Sequence, residues 1–209
     1  MSTTEEAPAV AAVGTGIADP APLGLAAFAL TTFLLSAINA GWAKTSTGGD
    51  WWGYAIAYGG LGQLLAGMWE FRNKNVFGAT AFSTYGGFWI GLGLWALLVA
   101  PHATSAGAAD KDLGWILLAF AIVNAYLLLF STQVNMAVFL IFLFLEATEI
   151  VGAIANFDAG SAATPTGLIK TAGYIGIVTA VLAWYASAAG IGKGMGGRIQ
   201  LPVGKPLIG

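Results

Sequence analysis

The sequence predicts an all-α integral membrane protein with six transmembrane helices per subunit. Three observations carry this reading. Hydrophobic residues make up 57% of the 209-residue chain and charged residues only 9%, with a mean hydropathy of +0.78; a soluble domain carries roughly 25% charged residues. Apolar stretches of about 20 residues, the length a helix needs to cross a hydrocarbon core about 30 Å thick, recur at 23–43, 51–71, 81–99, 113–130, 134–156 and 168–189. Trp42, Trp51, Trp52, Trp69 and Trp115 stand near the ends of these stretches, where indole rings settle at headgroup depth.

Residues 1–18 precede the first span. They contain Glu5 and Glu6 but no Lys or Arg, so the basic n-region of a signal peptide is missing and the segment reads as a disordered tail. The transmembrane domain runs over 19–190, and 191–209 form a C-terminal tail. The first span opens with "DPAPLGL". Asp19 is the candidate N-cap, with Pro20 and Pro22 in a first turn that tolerates proline. The amides of Leu23, Gly24 and Leu25 then form a partly positive helix end that can receive a carboxylate without a buried cation.

The second and third spans enclose "YGGLGQLLAGMWEFRNKNVFGATAFSTYGGFW". Its glycines permit close helix contact, and Gly87 with Gly91 has small-xxx-small spacing. Gln63, Asn75, Thr80, Ser83, Thr84 and Tyr85 are too polar for a lipid-facing surface and suit the lining of a wet pathway. Glu70, beside Arg72 and Lys74, reads as an interfacial ion-pair residue, and His102 as an exposed loop histidine. The fourth span repeats the Leu-Gly start of the first, and Tyr85 with Trp95 recurs as Tyr174 with Trp184. These matches suggest a 3+3 inverted repeat, the arrangement by which many transporters build a central site.

The fifth span holds "FLEATEIVG", two glutamates in an apolar run. At helical spacing Phe142, Glu146 and Glu149 share one face, and Leu145, Glu149, Gly152 and Asn156 form an adjacent stripe. Ionisable groups at this depth are costly and face a cavity or a neighbouring helix. Two readings stand: Glu146 and Glu149 exchange a proton as solute passes, or they hydrogen-bond across an interface with no part in transport. Lys170 opens the sixth span, placed to snorkel to the interface.

Six spans put both termini on one side. That side carries Arg72, Lys74, Lys193, Arg198 and Lys205, the other Lys44, Lys111 and Lys170, so the positive-inside rule makes the termini cytoplasmic in a multi-pass protein of the cell (plasma) membrane. Several function classes fall away. A net charge of −2 with eight basic residues leaves no basic face for nucleic acid. With no cysteine and one histidine there is no thiolate or multi-histidine metal site. Neither an enzyme nor a cofactor protein is expected, since a nucleophile paired with a base is lacking.

"DPAPLGL" resembles the Asn-Pro-Ala-Pro-Leu-Gly-Leu signature of the acetate uptake transporter family, the succinate–acetate permeases. "GGLGQLLAGMWEFRNKNVFGATAFSTYGGFW" resembles that family's second and third helices along its whole length. The resemblance implies a six-helix subunit assembled as a homo-hexamer, each subunit with its own path for acetate, other small monocarboxylates and, as a bulkier candidate, succinate. It also implies a hydrophobic constriction, carried onto Phe28, Tyr85 and Leu145. Asp19 departs from the family's Asn, and a carboxylate at the entrance repels an anion unless it is capped or protonated. A ring of apolar side chains blocks continuous water while a small solute slips through between polar vestibules. The expected function is proton-linked transport of small carboxylates across the bilayer; a channel for a small neutral solute such as urea or ammonia is the alternative.

Overall fold

The computed structural model describes residues 16–43, 49, 51–158 and 167–208. Residues 1–15 of the expected disordered tail lie outside them, as does Lys44. Among the described residues all regular structure is helical. In chain order the elements are α1, Ala21–Asn39; α2, residues 52–72; α3, Val76–His102; α4, Ala106–Ser131; α5, Met136–Asp158; and α6, Gly167–Met195. Five of these, α1 and α3 to α6, are long and apolar enough to cross a membrane. The expected second span is instead three consecutive pieces. A single α-turn at Trp52–Tyr54 widens into π-helix over Ala55–Gly62 and returns to α-helix over Gln63–Arg72.

Short-range side-chain chemistry sets the helix starts and moves two of them from their sequence-based positions. Asn75 accepts from the Gly78 amide at 3.1 Å, so α3 begins at Val76, five residues before the apolar run at 81. Ser105 accepts from Ala108 N at 3.1 Å, and α4 begins at Ala106 rather than 113. Asp110, Lys111 and Asp112 are therefore helical. Asn135 does the same for Val138 N at 2.9 Å, opening α5. Each such cap satisfies a first-turn donor and contributes about 1 kcal/mol.

The helices form a ring in which α2 lies between α1 and α3, α1 packs along α6, α6 on α5 and α5 on α4. In a bilayer the hydrophobic effect does not drive helix to helix, so close packing of small residues does. A Cβ on Gly173 of α6 would lie 2.8 Å from the Ser36 carbonyl oxygen of α1, and one on Gly86 of α3 would lie 2.7 Å from Leu64 N of α2. Only glycine permits these two crossings. The C-terminal segment turns back across the bundle: Val203 O accepts from Ala137 N at 2.9 Å and Tyr185 Oη donates to Pro202 O at 2.7 Å. One of the orphan first-turn donors of α5 is thereby satisfied.

Trp42 and Trp69 are exposed near helix ends and Trp115 is exposed more than two turns inside α4, but Trp51 is buried, stacked edge-on against Trp52 and Trp89. Its ring packs in the interior of the bundle rather than on the outer surface.

Candidate functional site

Two cavities lie inside the ring. The larger, of about 420 Å³, is lined near its far end by Asp110, Asn156 and Ala172 and further in by Trp51, Phe88 and Glu149. The smaller, of about 100 Å³, lies toward the start of α1 and is lined by Ala21, Leu25, Gln63, Glu70 and Asn75. Both exceed the roughly 10–15 Å³ that one water needs. Phe28 of α1, Tyr85 of α3 and Leu145 of α5 line both, and no other described residue does. All three are buried. The rings of Phe28 and Tyr85 meet edge-on at 5.7 Å, and Tyr85 continues into Phe88 at 6.0 Å. Apolar side chains thus separate the two cavities, and among the described residues no Lys or Arg lines either.

The stripe of Leu145, Glu149, Gly152 and Asn156 on α5 faces the larger cavity. Glu149 is 2% exposed. Its Oε1 lies 3.1 Å from the Tyr85 hydroxyl, which lies 3.0 Å from Asn124 Oδ1 on α4. The Asn124 amide nitrogen donates to Glu146 Oε2 at 2.7 Å and to the Phe142 carbonyl at 3.0 Å. Glu146, Asn124, Tyr85 and Glu149 therefore form one hydrogen-bonded chain through α3, α4 and α5. Glu149 Oε2 has no partner among the described residues.

In the smaller cavity Glu70 is fully buried. Its Oε2 accepts from Asn73 Nδ2 at 3.3 Å and its Oε1 has no partner among the described residues. The ion pair with Arg72 or Lys74 read from the sequence is therefore corrected. On the α2 helix the residue-70 face turns into the bundle while 72 and 74 are exposed. Gln63 lines the same cavity and donates Nε2 to Gly59 O at 2.6 Å, a carbonyl within the widened π-turn.

Of the six polar residues expected to line a pathway, Gln63, Asn75 and Tyr85 reach a cavity, and Thr80, Ser83 and Thr84 do not. The face of α3 turned inward carries Phe77, Ala81, Tyr85, Phe88 and Leu92, and residues 80 and 84 lie about 100° away from it. Thr80 returns its hydroxyl to Val76 O at 2.8 Å.

At the start of α1, Asp19 Oδ1 accepts from Ala21 N at 2.9 Å, although the helix cap itself is Pro20. Gly24 N donates to Pro20 O at 3.2 Å. The expected cluster of three free amides is thus corrected: the helical ladder begins at residue 20, and by residues 24 and 25 the amides are within it. Pro20 lines neither cavity, and Leu23 is exposed outside both. The helix end meets the smaller cavity through Ala21 and Leu25.

Asn124 and Asp110 were not singled out from the sequence. Asn124 had a signal, an amide in the middle of an apolar run. Asp110 had none, because the apolar window begins after it.

Known proteins resemble the chain along most of its length. Acetate permease A of Emericella nidulans is 40% identical over 200 residues, covering 89% of this chain and 65% of the relative. The succinate-acetate/proton symporter SatP of Escherichia coli (strain K12) is 34% identical over 191 residues, covering 91% and 97%. This chain thus spans about two thirds of the fungal relative and nearly all of the bacterial one. The solved structure of the bacterial acetate channel SatP superposes with a TM-score of 0.80 at 30% identity, over 90% of this chain and all of that one. The family model described as the GPR1/FUN34/yaaH family matches residues 3–205, and with these relatives it assigns the chain to that family, of which it is a member.

Proposed function

We propose that the chain carries acetate and related small carboxylates across the membrane, one path per subunit, with a proton accompanying the anion. The observation that carries this reading is the pair of cavities meeting only at Phe28, Tyr85 and Leu145. Such a hydrophobic constriction stops continuous water and ions while a small acid passes between polar vestibules. The absence of Lys and Arg from both linings among the described residues supports a proton, rather than a fixed cation, as the partner of the anion. Glu149, bonded to Tyr85 at the constriction and with no described partner on its other oxygen, is the group from which that proton is exchanged, with Glu146 as its neighbour. The printed names of the relatives, an acetate permease, a succinate-acetate/proton symporter and an acetate channel, point the same way.

The complete architecture belongs to the same proposal. Residues 52–72 cross the membrane as the sixth span despite their π-helical middle, and α1–α3 and α4–α6 are the halves of an inverted repeat. Both termini face the cytoplasm of the cell membrane. Thr80, Thr84, Gly87 and Gly91 form one face of α3, and a Cβ at either glycine would meet open space. That face packs against the neighbouring copy in a homo-hexamer.

The test is transport by the purified protein in liposomes, following labelled acetate together with internal pH, with the unaided flux of acetic acid through empty liposomes subtracted. An imposed proton gradient should drive protein-dependent accumulation of acetate with matching proton entry. Propionate and formate should compete, while urea and ammonia should not. Competition by the neutral solutes alone would overturn the carboxylate reading.

A further inference from the structure

A hydroxyl has one hydrogen, and the Tyr85 hydroxyl has two oxygens in reach, Asn124 Oδ1 at 3.0 Å and Glu149 Oε1 at 3.1 Å. The orientation of the Asn124 amide decides which of them receives it. One side of that amide meets the Phe142 carbonyl and Glu146 Oε2, both acceptors. Nδ2, with its two hydrogens, must face them, because the reversed amide would set oxygen against oxygen twice. Oδ1 is then the atom turned to Tyr85, and it can only accept. With the hydroxyl hydrogen given to Asn124, the contact between Tyr85 and Glu149 is a hydrogen bond only if Glu149 supplies the hydrogen.

We propose that Asn124 is the positioning residue that assigns the one proton shared by the buried Glu149 and the half-buried Glu146. By donating to Glu146 and accepting from Tyr85, it keeps Glu146 ionised and leaves Glu149 as a carboxylic acid at the wall of the larger cavity. This inference rests on the proton-linked reading above. When a carboxylate anion arrives in the cavity, the Glu149 hydroxyl turns its hydrogen from Tyr85 to the solute, the Glu149 O–H bond breaks and a new O–H bond forms on the solute, which leaves as the neutral acid through the constriction. Glu149 becomes the carboxylate, and the Tyr85 hydroxyl rotates its hydrogen from Asn124 to Glu149. Protonation of Glu149 by solvent in the larger cavity restores the first state and returns the hydroxyl to Asn124. The switch is one hydroxyl rotation at the residue that also forms the constriction.

The groups facing the chain are few. Tyr85 comes from α3; α4 brings Asn124, Asp110 at the far end of the same cavity, and Tyr126 near Tyr85. The residues of α1 and α6 that line the cavity include none that titrate. A negative Glu146 thus has Asn124 as its described donor, and loss of that donor removes the reason for the charge to reside there rather than on Glu149.

The experiment is infrared spectroscopy of the reconstituted protein at neutral pH, reading the carbonyl band of a protonated carboxylic acid in wild type, Glu149→Gln, Glu146→Gln and Asn124→Leu. Glu149→Gln should lose part of the band and Glu146→Gln should leave it unchanged, any signal from a carboxyl outside the pair being common to both. On an Asn124→Leu background the discrimination should disappear, so that Glu146→Gln now also reduces the band. Loss of the band in Glu146→Gln but not in Glu149→Gln overturns the assignment. If Asn124→Leu fails to assemble, Asn124→Asp in its place should likewise lose the discrimination, and a discrimination kept by a folded Asn124 variant overturns the role of Asn124. Absence of proton entry with acetate in wild-type liposomes would defeat the proton-linked reading; the band pattern decides the proton's location independently.

Discussion

Tyr85 sets its hydroxyl 3.1 Å from Oε1 of Glu149, and the same side chain lines both cavities. The apolar contact between the cavities and the hydrogen-bonded chain from Glu146 to Glu149 therefore share one residue. The ring can set the size of what passes while the hydroxyl responds to the state of the carboxyl. These two roles can be separated by substitution.

Tyr85→Phe keeps the ring and removes the hydroxyl. The order of acids by size should be retained, since the edge-on contact with Phe28 at 5.7 Å needs only the ring. Acetate-coupled proton entry should fall at least tenfold. Asn124 Oδ1 loses its donor, which costs about 1–3 kcal/mol for a buried acceptor left unpaired and lowers the melting temperature in detergent. Uptake of acetate and proton in the same liposomes checks the separation, and an unchanged proton-to-acetate ratio would remove Tyr85 from the coupling.

Leu145 is 6% exposed and lines both cavities. Leu145→Ala should widen the constriction, raising the uptake of succinate relative to acetate several-fold. The deletion also removes packing, at about 2–5 kcal/mol for a buried Leu to Ala change. Leu145→Val tests the same direction with a smaller loss. Labelled succinate and acetate measured in parallel provide the ratio, and a ratio identical to wild type in both variants would place the size limit elsewhere.

The sequence foretold elements better than it foretold partners. Composition and run length are sufficient to announce spans, and helical spacing put Leu145 and Glu149 on one stripe, the one that lines the larger cavity. The helix starts of α3 and α4 were misplaced because an apolar window cannot see a cap, whereas Asn75 and Ser105 set the first turn by accepting one amide each. Asn124 was overlooked because its importance lies across helices, in bonds to residues 39 positions before it and 22 after. Glu70 was misread for a related reason: the neighbouring cations in sequence suggested an ion pair, but α2 turns Glu70 inward and Arg72 outward, and Lys74 lies exposed past its end. The π-helical stretch of Ala55–Gly62 gives no apolar period of its own.

Gly86→Ala should destabilise the subunit without touching either cavity. The added Cβ would lie 2.7 Å from Leu64 N and 2.8 Å from Gly60 O, both backbone atoms that cannot turn aside. Forcing α2 and α3 apart should cost about 1–3 kcal/mol. Gly87→Ala is the control, because its Cβ would meet open space within the subunit. Thermal melting of the two variants in detergent, with the assembly size recorded, should show a lower midpoint for Gly86→Ala. For Gly87→Ala any loss should be confined to assembly.

Asp19→Asn restores the amide that the family signature carries and should speed acetate entry. The local structure should survive, because the Asn oxygen can accept from Ala21 N as Asp19 Oδ1 does at 2.9 Å, and Asp and Asn are nearly equivalent in capping. What changes is charge. Asp19 is exposed at the end of the bundle where the smaller cavity lies, so its carboxylate acts on an approaching anion through solvent, over a Debye length of about 8 Å at physiological ionic strength. The variant should therefore show faster uptake at low salt, with the advantage shrinking as salt is raised, while the melting temperature stays within a degree or two of wild type. A rate gain independent of salt would mean that the amide donor itself matters at this position, and no gain at all would mean that acetate does not enter past the start of α1.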